Sequence, residues 1–269
     1  MTQVRLSYAY GTSNQPLLGM TIGEKFDQAC QQYAEQDALV SVHQNVRLSY
    51  KQLQQQVNAF ACSLLELGLE KGDRIAIWSP NCVEWTITQF AAFKAGIILV
   101  NLNPAYKSSE LEYVLNKVSC KALVIAAEFK SSNYQEILTK IAPEIPQTVD
   151  KKLCAARLPH LKHVIKIDSE QHSGIHRFAD LLIAPTATQL AELQAIAADL
   201  QFDETINIQF TSGTTGNPKG TMLTHNNILN NGYFVGEAIH LTPQDRVCIS
   251  VPLFHCFGMV MGNLACITH

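Results

Sequence analysis

One short stretch of the sequence has the residue types of a phosphate-binding loop. Residues 210–220 run Phe-Thr-Ser-Gly-Thr-Thr-Gly-Asn-Pro-Lys-Gly, so hydroxyl side chains and glycines precede a single lysine. Gly213 and Gly216 carry no Cβ, which lets the backbone turn through positive φ and bring its N–H groups against the oxygens of an anion. Pro218 fixes φ and should orient Lys219 as a point charge. The residue types therefore predict a polyphosphate site. The candidate nucleotide-binding residues are Thr211, Ser212, Gly213, Thr214, Thr215, Gly216 and Lys219.

The common phosphate-loop patterns do not match this stretch. The pattern G-x-x-x-x-G-K-[ST], counted from Gly213, needs glycine where Pro218 stands and Ser or Thr where Gly220 stands. The G-x-G-x-x-G pattern fails as well, so a P-loop kinase or NTPase is disfavoured. An ordinary Gly/Thr surface loop is the plainer alternative. Against it, an alternating segment over 206–210 predicts a strand before the loop, and Thr224 is placed to cap a helix that follows it.

The ordered run Thr-Ser-Gly-Thr-Thr-Gly-x-Pro-Lys-Gly resembles the signature of the adenylate-forming (AMP-binding) superfamily, which includes acyl-CoA synthetases, luciferases and peptide-synthetase adenylation domains. Residues 48–53 and 94–104 resemble further blocks of that superfamily. The resemblance implies an α/β fold in which residues 1–269 form the N-terminal portion of the large adenylate-forming domain, with mostly parallel sheets flanked by helices. It also implies ATP, Mg and CoA as substrates or ion of the reaction.

A second block, residues 252–258, reads Pro-Leu-Phe-His-Cys-Phe-Gly. Taken alone, its composition predicts core positions for Phe254 and Phe257 and a satisfied polar side chain for His255. The block resembles the superfamily's Pro-x-aromatic-His-x-x-Gly segment, which lines the carboxylate end of the acyl pocket. This resemblance makes His255 the candidate catalytic residue, as a gate of the acyl site, and the aromatic residues its walls.

The chemistry that the resemblance implies begins with attachment of a carboxylate to AMP and release of pyrophosphate. Charge builds on the departing pyrophosphate, and backbone N–H groups, hydroxyls, Lys219 and a Mg ion are suited to stabilise it. Residues 17–24 and 254–259 look most like fatty acyl-CoA ligases of the medium-chain or long-chain kind. An aryl or short-chain acid stays open as the substrate.

Strand-like and helix-like segments alternate through the middle of the chain. Residues 74–78, 97–100 and 122–126 predict buried strands, and helices are expected from Asn81 to a glycine stop at Gly96 and again over 109–118. Such alternation favours βαβ units and a mostly parallel sheet. The sequence also predicts a capping box from Thr21, a hairpin over 38–50, a surface excursion over 143–163, a helix over 187–198 and a strand over 247–251.

Composition limits the partners. The chain has 269 residues, is 47% hydrophobic and carries 20 Lys+Arg against 23 Asp+Glu with no basic run, so a nucleic-acid partner is not expected.

The longest apolar stretch, 252–267, is shorter than the roughly 20 residues of a spanning helix, so no membrane span is predicted, while peripheral membrane contact stays open. The eight cysteines have no C-x-x-C pair and the first 13 residues have no secretory apolar region, which indicates buried free thiols and a cytoplasmic location.

Two further groups of polar residues favour ordinary structural roles. His172 and His176 flank Gly174 with no third ligand nearby, so solvated loops are predicted there and for His160 and His163, and no metal ligands are assigned. The asparagines of residues 226–231 lie at helical spacing and predict an exposed polar face.

The expected function is ATP-dependent activation of a fatty acid to acyl-adenylate and then acyl-CoA, as an acid-thiol ligase. The small-molecule partners would be fatty acid, ATP and CoA. The superfamily's later motifs, including a Mg-binding Glu, a ribose-binding Asp and a C-terminal catalytic Lys, have no counterpart in this sequence. We therefore expect a truncated domain that is inactive alone. The alternative is a catalytically inactive nucleotide-binding remnant or a scaffold fragment of the same fold.

Overall fold

The computed structural model describes residues 14–211 and 217–269. Its strands are β1 Asp37–Ser41, β2 Val46–Ser49, β3 Arg74–Trp78, β4 Ile98–Asn101, β5 Ala122–Ala126, β6 Glu128–Phe129, β7 Ser132–Asn133, β8 His163–Ile167, β9 His176–Arg177, β10 Thr205–Thr211 and β11 Lys219–Thr224. Its longer α-helices are α1 Ile22–Gln32, α2 Tyr50–Glu66, α3 Val83–Lys94, α4 Ser108–Lys117, α5 Tyr134–Ile141, α6 Ala187–Asp199 and α7 His225–Ala238. Short α-helical turns at Cys256–Gly258 and Ala265–Thr268 flank a π-helix at Met259–Leu264, and 3-10 turns lie at Ile145–Gln147 and Phe178–Leu181.

The central sheet has seven strands in the order β11-β10-β4-β3-β5-β8-β9. Every neighbouring pair is parallel except β10 with β11, which is an antiparallel hairpin. Short hairpins β1–β2 and β6–β7 lie apart from this sheet. The predicted α/β fold with a mostly parallel sheet flanked by helices is therefore confirmed.

Helices cover both faces of the sheet because successive strand residues point to opposite sides. On one face, Ile75 and Ile77 of β3 pack in a core that includes residues of α1, α2, α3 and α7. On the other face, Ala76 and Trp78 pack with residues of α4 and α5, and the Trp78 ring stacks on Tyr134 at 3.7 Å between centroids. We call these the α3 face and the α5 face of the sheet.

Local signals place most of these elements where the sequence predicts them. Thr21 and Glu24 form the expected capping box of α1, and Thr224 caps α7 by accepting a hydrogen bond from the backbone of Asn227. Gly96 follows α3 with φ at +67°, a left-handed conformation that suits glycine and ends the helix. The capping residues and the glycine stop thus set these boundaries.

Three predictions of local structure are wrong. Residues 247–251 form no strand in the described part of the chain, because no neighbouring segment pairs with them. Residues 143–163 are irregular but not a surface excursion, since Ile145, Leu153 and Leu161 are buried in the core of the α5 face. Helix α3 begins at Val83 and not at Asn81, because the N-cap position is Cys82 and the Asn81 amide bonds elsewhere.

Several polar and thiol side chains also differ from expectation. Cys154, Cys248 and Cys256 are exposed, so the thiols are not uniformly buried, although all eight cysteines are free. Asn230 is buried within α7, because its side chain bonds both the N–H and the carbonyl of Leu18. The expected exposed asparagine face therefore does not hold at that position. Within residues 14–211 and 217–269, no helix is both long and apolar enough to cross a membrane.

Candidate functional site

Thr211 and Lys219 stand opposite each other where the β10–β11 hairpin closes. They are cross-strand partners, both side chains are exposed, and the Thr211 hydroxyl donates to the Lys219 carbonyl oxygen at 3.5 Å. The other predicted loop residues lie outside the described residues; they are Ser212, Gly213, Thr214, Thr215 and Gly216. Strand β10 extends two positions past the end of β4, since Gln209 pairs with Asn101. The hairpin thus projects at the carboxyl edge of the parallel strands, where ligands of open α/β sheets bind.

Strand pairing shows which face of the sheet Thr211 and Lys219 share. Residues paired across neighbouring strands point to the same side, and alternate residues along a strand do so too. By this rule Thr211, Lys219 and Asn101 lie on the α3 face. Gly220 lies on the opposite face, where an added Cβ would meet Ile208 Cγ2 at 3.2 Å. The hydroxyl and the ammonium therefore emerge on one side of the sheet edge.

A chain of buried amides runs across the α3 face below that edge. Asn207 Nδ2 donates to Leu99 O at 2.9 Å and to Asn101 Oδ1 at 3.0 Å. Asn101 Nδ2 in turn donates to the carbonyl oxygen of Phe254 at 3.2 Å and lies 3.3 Å from Met259 Sδ. The block that carries His255 is therefore held on the same face of the sheet as Thr211 and Lys219.

The His255 side chain is exposed and acts as the N-cap of the short turn Cys256–Gly258. Its Nδ1 accepts the backbone N–H of Phe257 at 3.3 Å, so the neutral ring carries its proton on Nε2. The ring stands edge-on to Phe254, with centroids 6.5 Å apart. An Nε2–H donor outside the core is free to meet an oxygen of a ligand.

The two aromatic residues next to His255 differ in burial, and neither is fully buried. Phe254 is half-buried and Phe257 is 55% exposed, so the expectation of a core position is wrong for Phe257. Leu253, Gly258 and Met259 are buried instead and anchor the block from below. The placement of the aromatic rings as walls of an acyl pocket stays a prediction.

A further buried histidine supports the hairpin from its far end. His225 begins α7 directly after β11, is fully buried, and accepts the backbone N–H of Ile22 through Nδ1 at 3.1 Å. Its Nε2 has no hydrogen-bond partner among the described residues. Burial lowers the pKa of His225 to about 4, and the Glu204 charge acts in the opposite direction. The ring is therefore neutral at physiological pH and joins α1 to α7.

His163, His172 and His176 make hydrogen bonds away from the sheet edge at Lys219. His172 Nε2 lies 2.8 Å from Asp168 Oδ2 and 2.8 Å from Lys166 Nζ, while His163 and His176 face each other at 3.3 Å. His163 is buried, so the prediction of a solvated loop is wrong there. Over residues 14–211 and 217–269, no group of three or more His, Cys, Asp or Glu side chains could hold a metal ion.

A cavity of about 680 Å³ lies between the β1–β2 hairpin, the start of α3 and residues 241–249, and Asn81 and Leu253 also line it. Its walls include Tyr50, Phe90 and Ile249. Neither Lys219 nor His255 lines it. The candidate site is therefore the open sheet edge and not this cavity.

The sequence did not identify the residues that hold the site together. Asn81, Asn101 and Asn207 bond backbone or amide groups 106 to 172 residues away in the chain. The one local signal is polarity in an apolar setting, since Asn101 ends the strand Ile-Leu-Val-Asn and Asn207 lies between Ile206 and Ile208. A buried amide in a strand needs a partner, which is a reason to expect a network there.

Comparisons with known proteins show which sequences and folds this chain is similar to. A family model described as AMP-binding enzyme matches residues 26–269. The chain is 43% identical over 268 residues to the medium-chain acyl-CoA ligase ACSF2, mitochondrial, of Macaca fascicularis, covering 98% of this chain and 43% of that protein. It is 42% identical over 260 residues to the protein of the same name from Danio rerio, covering 96% of this chain and 43% of that protein. The chain thus spans less than half the length of these curated relatives.

A solved structure is similar in fold. The anthranilate CoA ligase AuaEII, solved in complex with anthranoyl-AMP, has a TM-score of 0.75 and 22% sequence identity, covering 93% of this chain and 44% of that one. At this identity the likeness concerns the fold alone.

Proposed function

The chain belongs to the AMP-binding enzyme family, and on this premise we propose that it supplies the phosphate-binding edge of an ATP-dependent acid-thiol ligase. The reaction joins a fatty acid to AMP, releases pyrophosphate, and then transfers the acyl group to the thiol of CoA. The observation that carries the proposal is the placement of Thr211, Lys219 and the His255 block on one face of the sheet edge. An enzyme that joins a nucleotide to an acid needs the two sites adjacent.

Each of these groups has a chemical role in the proposal. The Lys219 ammonium and the Thr211 hydroxyl are exposed donors suited to phosphate oxygens. Ser212, Gly213, Thr214, Thr215 and Gly216 complete the proposed phosphate loop. Lys219 stabilises the negative charge that develops on the leaving pyrophosphate, an effect that is strongest when the donor is held in place beforehand. Mg²⁺, when bound with ATP, supplies further charge stabilisation on the phosphates.

His255 is proposed to act at the carboxylate end of the acyl site. Its Nδ1 is occupied by the Phe257 N–H, which fixes the ring and directs the Nε2–H donor away from the backbone. A neutral donor suits a carboxylate or an acyl phosphate oxygen. Phe254 and Phe257 are proposed as walls that exclude water.

The substrate is proposed to be a medium-chain or long-chain fatty acid. The relatives from Macaca fascicularis and Danio rerio, named as medium-chain acyl-CoA ligases, support an apolar acid of that kind. The runner-up is an inactive remnant of the fold that binds nucleotide or serves as a scaffold.

The test joins this chain to the part of the Danio rerio relative that it does not match. The chimera is incubated with ATP, Mg²⁺, CoA and octanoate, palmitate or benzoate, and AMP and acyl-CoA are measured. The proposal expects equal amounts of AMP and acyl-CoA, with octanoate or palmitate preferred over benzoate. A folded chimera that binds ATP but forms neither product would support the remnant instead.

The cytoplasm is the proposed location. The free state of all eight cysteines, three of them exposed, supports a reducing compartment. The relative from Macaca fascicularis is named as mitochondrial, which makes mitochondria the alternative location. Fractionation of cells that produce a tagged chain distinguishes the two. Recovery in an organelle fraction would contradict it.

A further inference from the structure

Asn81 holds the backbone on both sides of Pro252 with one side-chain amide. Its Nδ2 donates to the Val251 carbonyl oxygen at 2.9 Å, and its Oδ1 accepts the Leu253 N–H at 2.8 Å. The two partners lie 170 and 172 residues further along the chain. Donor and acceptor of a planar amide thus match a carbonyl and an N–H much as a neighbouring strand would. We call this pair of hydrogen bonds the Asn81 clamp.

The clamp acts where the chain has no strand to fix it. Residues 247–251 belong to no helix or sheet in the described part of the chain, and Pro252 has no N–H to donate. Leu253 is buried, so its N–H needs a protein partner. Asn81 provides that partner and also binds the preceding carbonyl. The segment is therefore positioned by a distant side chain in place of a strand ladder.

The loop that carries Asn81 is itself firmly held. It follows β3, whose last residue Trp78 is fully buried, and Ser79 is 2% exposed. The backbone N–H of Val83 donates to Gln44 Oε1 at 2.8 Å. Cys82 occupies the N-cap position of α3, so the Asn81 amide has no capping duty. A rigid loop of this kind can hold the segment that it binds in a fixed position.

We propose that Asn81 is a positioning residue of the acyl site: the clamp fixes residues 251–253 and so sets where His255 lies. Asn101 holds the carbonyl of Phe254 from the strand side, and the two asparagines fix the backbone that leads into His255. The inference rests on the proposed function for the identity of the site. The clamp itself is a property of this chain and can be measured without turnover.

The first experiment measures amide hydrogen exchange of the 269-residue chain over residues 250–259. Asn81→Leu keeps the side-chain size and removes both hydrogen bonds, so we expect exchange at Leu253 to rise roughly 10-fold or more. Asn81→Asp keeps the acceptor for the Leu253 N–H but loses the donor to the Val251 carbonyl. Its exchange rate at Leu253 should therefore lie between those of the wild type and Asn81→Leu. Asn116→Leu is the matched control, because Asn116 also donates to a distant backbone carbonyl, that of Arg157, away from the site.

Two outcomes of this experiment would overturn the inference. One is exchange over 250–259 in Asn81→Leu that stays within about twofold of the wild type. The other is an equal rise of exchange in β3, α3 and residues 250–259, which would mean loss of overall stability and no local positioning. If Asn81→Leu fails to fold, the Asn81→Asp chain decides by the same criterion.

The second experiment asks whether the clamp serves the acid. In the chimera with the Danio rerio relative, Asn81→Leu is expected to raise KM for octanoate several-fold while KM for ATP changes less than twofold, and Asn81→Asp should recover part of the difference. Equal changes in both KM values would contradict a positioning role at the acyl site. An inactive chimera with wild-type Asn81 would defeat the proposed function, whereas the exchange data would still decide on the clamp.

Discussion

Asn207 in β10 donates its side-chain amide to the Asn101 side chain in β4 over 3.0 Å, and both residues are almost fully buried. The same Asn207 nitrogen also donates to the Leu99 carbonyl oxygen, and Asn101 Nδ2 donates to the carbonyl oxygen of Phe254. This amide pair joins the strand that precedes the proposed phosphate loop to the block that carries His255. It is the structural link between the two halves of the candidate site.

The amide pair predicts a specific stability effect. Asn207→Leu leaves Asn101 Oδ1 and one hydrogen-bonding position of Leu99 O without a partner, so the free energy of unfolding should fall by about 1–3 kcal/mol. Urea unfolding measures it, with Asn231→Leu on the exposed side of α7 as the control. In a double-mutant cycle with Asn101→Leu, the two losses should not add, because the residues share one network. Strictly additive losses would contradict the coupling.

His225 predicts loss of stability at mildly acidic pH. Its pKa is about 4 in the folded chain, below the ordinary value near 6.5, because the ring is buried. As pH falls, the unfolded chain takes up the proton first, so stability that is present above pH 6.5 is lost between about 6.5 and 4. The full effect of this one group is about 3 kcal/mol. Burial also lowers the pKa of His176 to about 4, so this histidine adds to the loss of stability at acidic pH.

Urea unfolding at pH 7.5 and pH 4.5 checks this prediction. His225→Gln can still accept the Ile22 N–H but cannot be protonated, so it should lose a clear part of the pH dependence. His160→Gln changes an exposed histidine and should keep the full dependence. If the His225→Gln chain loses as much stability between the two pH values as the wild type, His225 is not the responsible group.

The sequence was sufficient where local chemistry decides the structure. Strands β3 and β5 lie at the predicted residues because short apolar runs between turns leave few alternatives. The capped starts of α1 and α7 depend on side chains within four residues, so their boundaries follow from the sequence as well. The phosphate-loop candidates Thr211 and Lys219 were inferred in the same way, from residue types at close spacing, and their role in binding phosphate stays a prediction.

The sequence was insufficient where the partner is distant. Residues 247–251 have the composition of a strand, yet a strand exists only when a neighbour pairs with it. Asn230 was expected on an exposed face, but the backbone at Leu18, 212 residues earlier, takes its amide into the interior. The roles of Asn81, Asn101 and Asn207 likewise depend on contacts that no local pattern reveals.

His255 is expected to affect the acid more than the nucleotide. In the chimera, His255→Ala removes the Nε2–H donor and should raise KM for octanoate or lower turnover with it, while KM for ATP changes little. His255→Asn is the control for loss of the cap on the short turn Cys256–Gly258, because asparagine can still accept the Phe257 N–H. An effect confined to ATP affinity would place His255 outside the acyl site, and general precipitation of His255→Ala would indicate a structural role.

Lys219 is proposed to stabilise the departing pyrophosphate, and this role is measured by fatty-acid-dependent exchange of pyrophosphate into ATP by the chimera. Lys219→Ala should slow this exchange by roughly two to three orders of magnitude, since a lost transition-state contact of this type costs about 2–4 kcal/mol. Thioester formation from supplied acyl-adenylate should stay nearly intact, and Lys117→Ala, at an exposed position on α4, should change neither rate. An equal loss in both half-reactions, or unchanged exchange in Lys219→Ala, would contradict this role of Lys219.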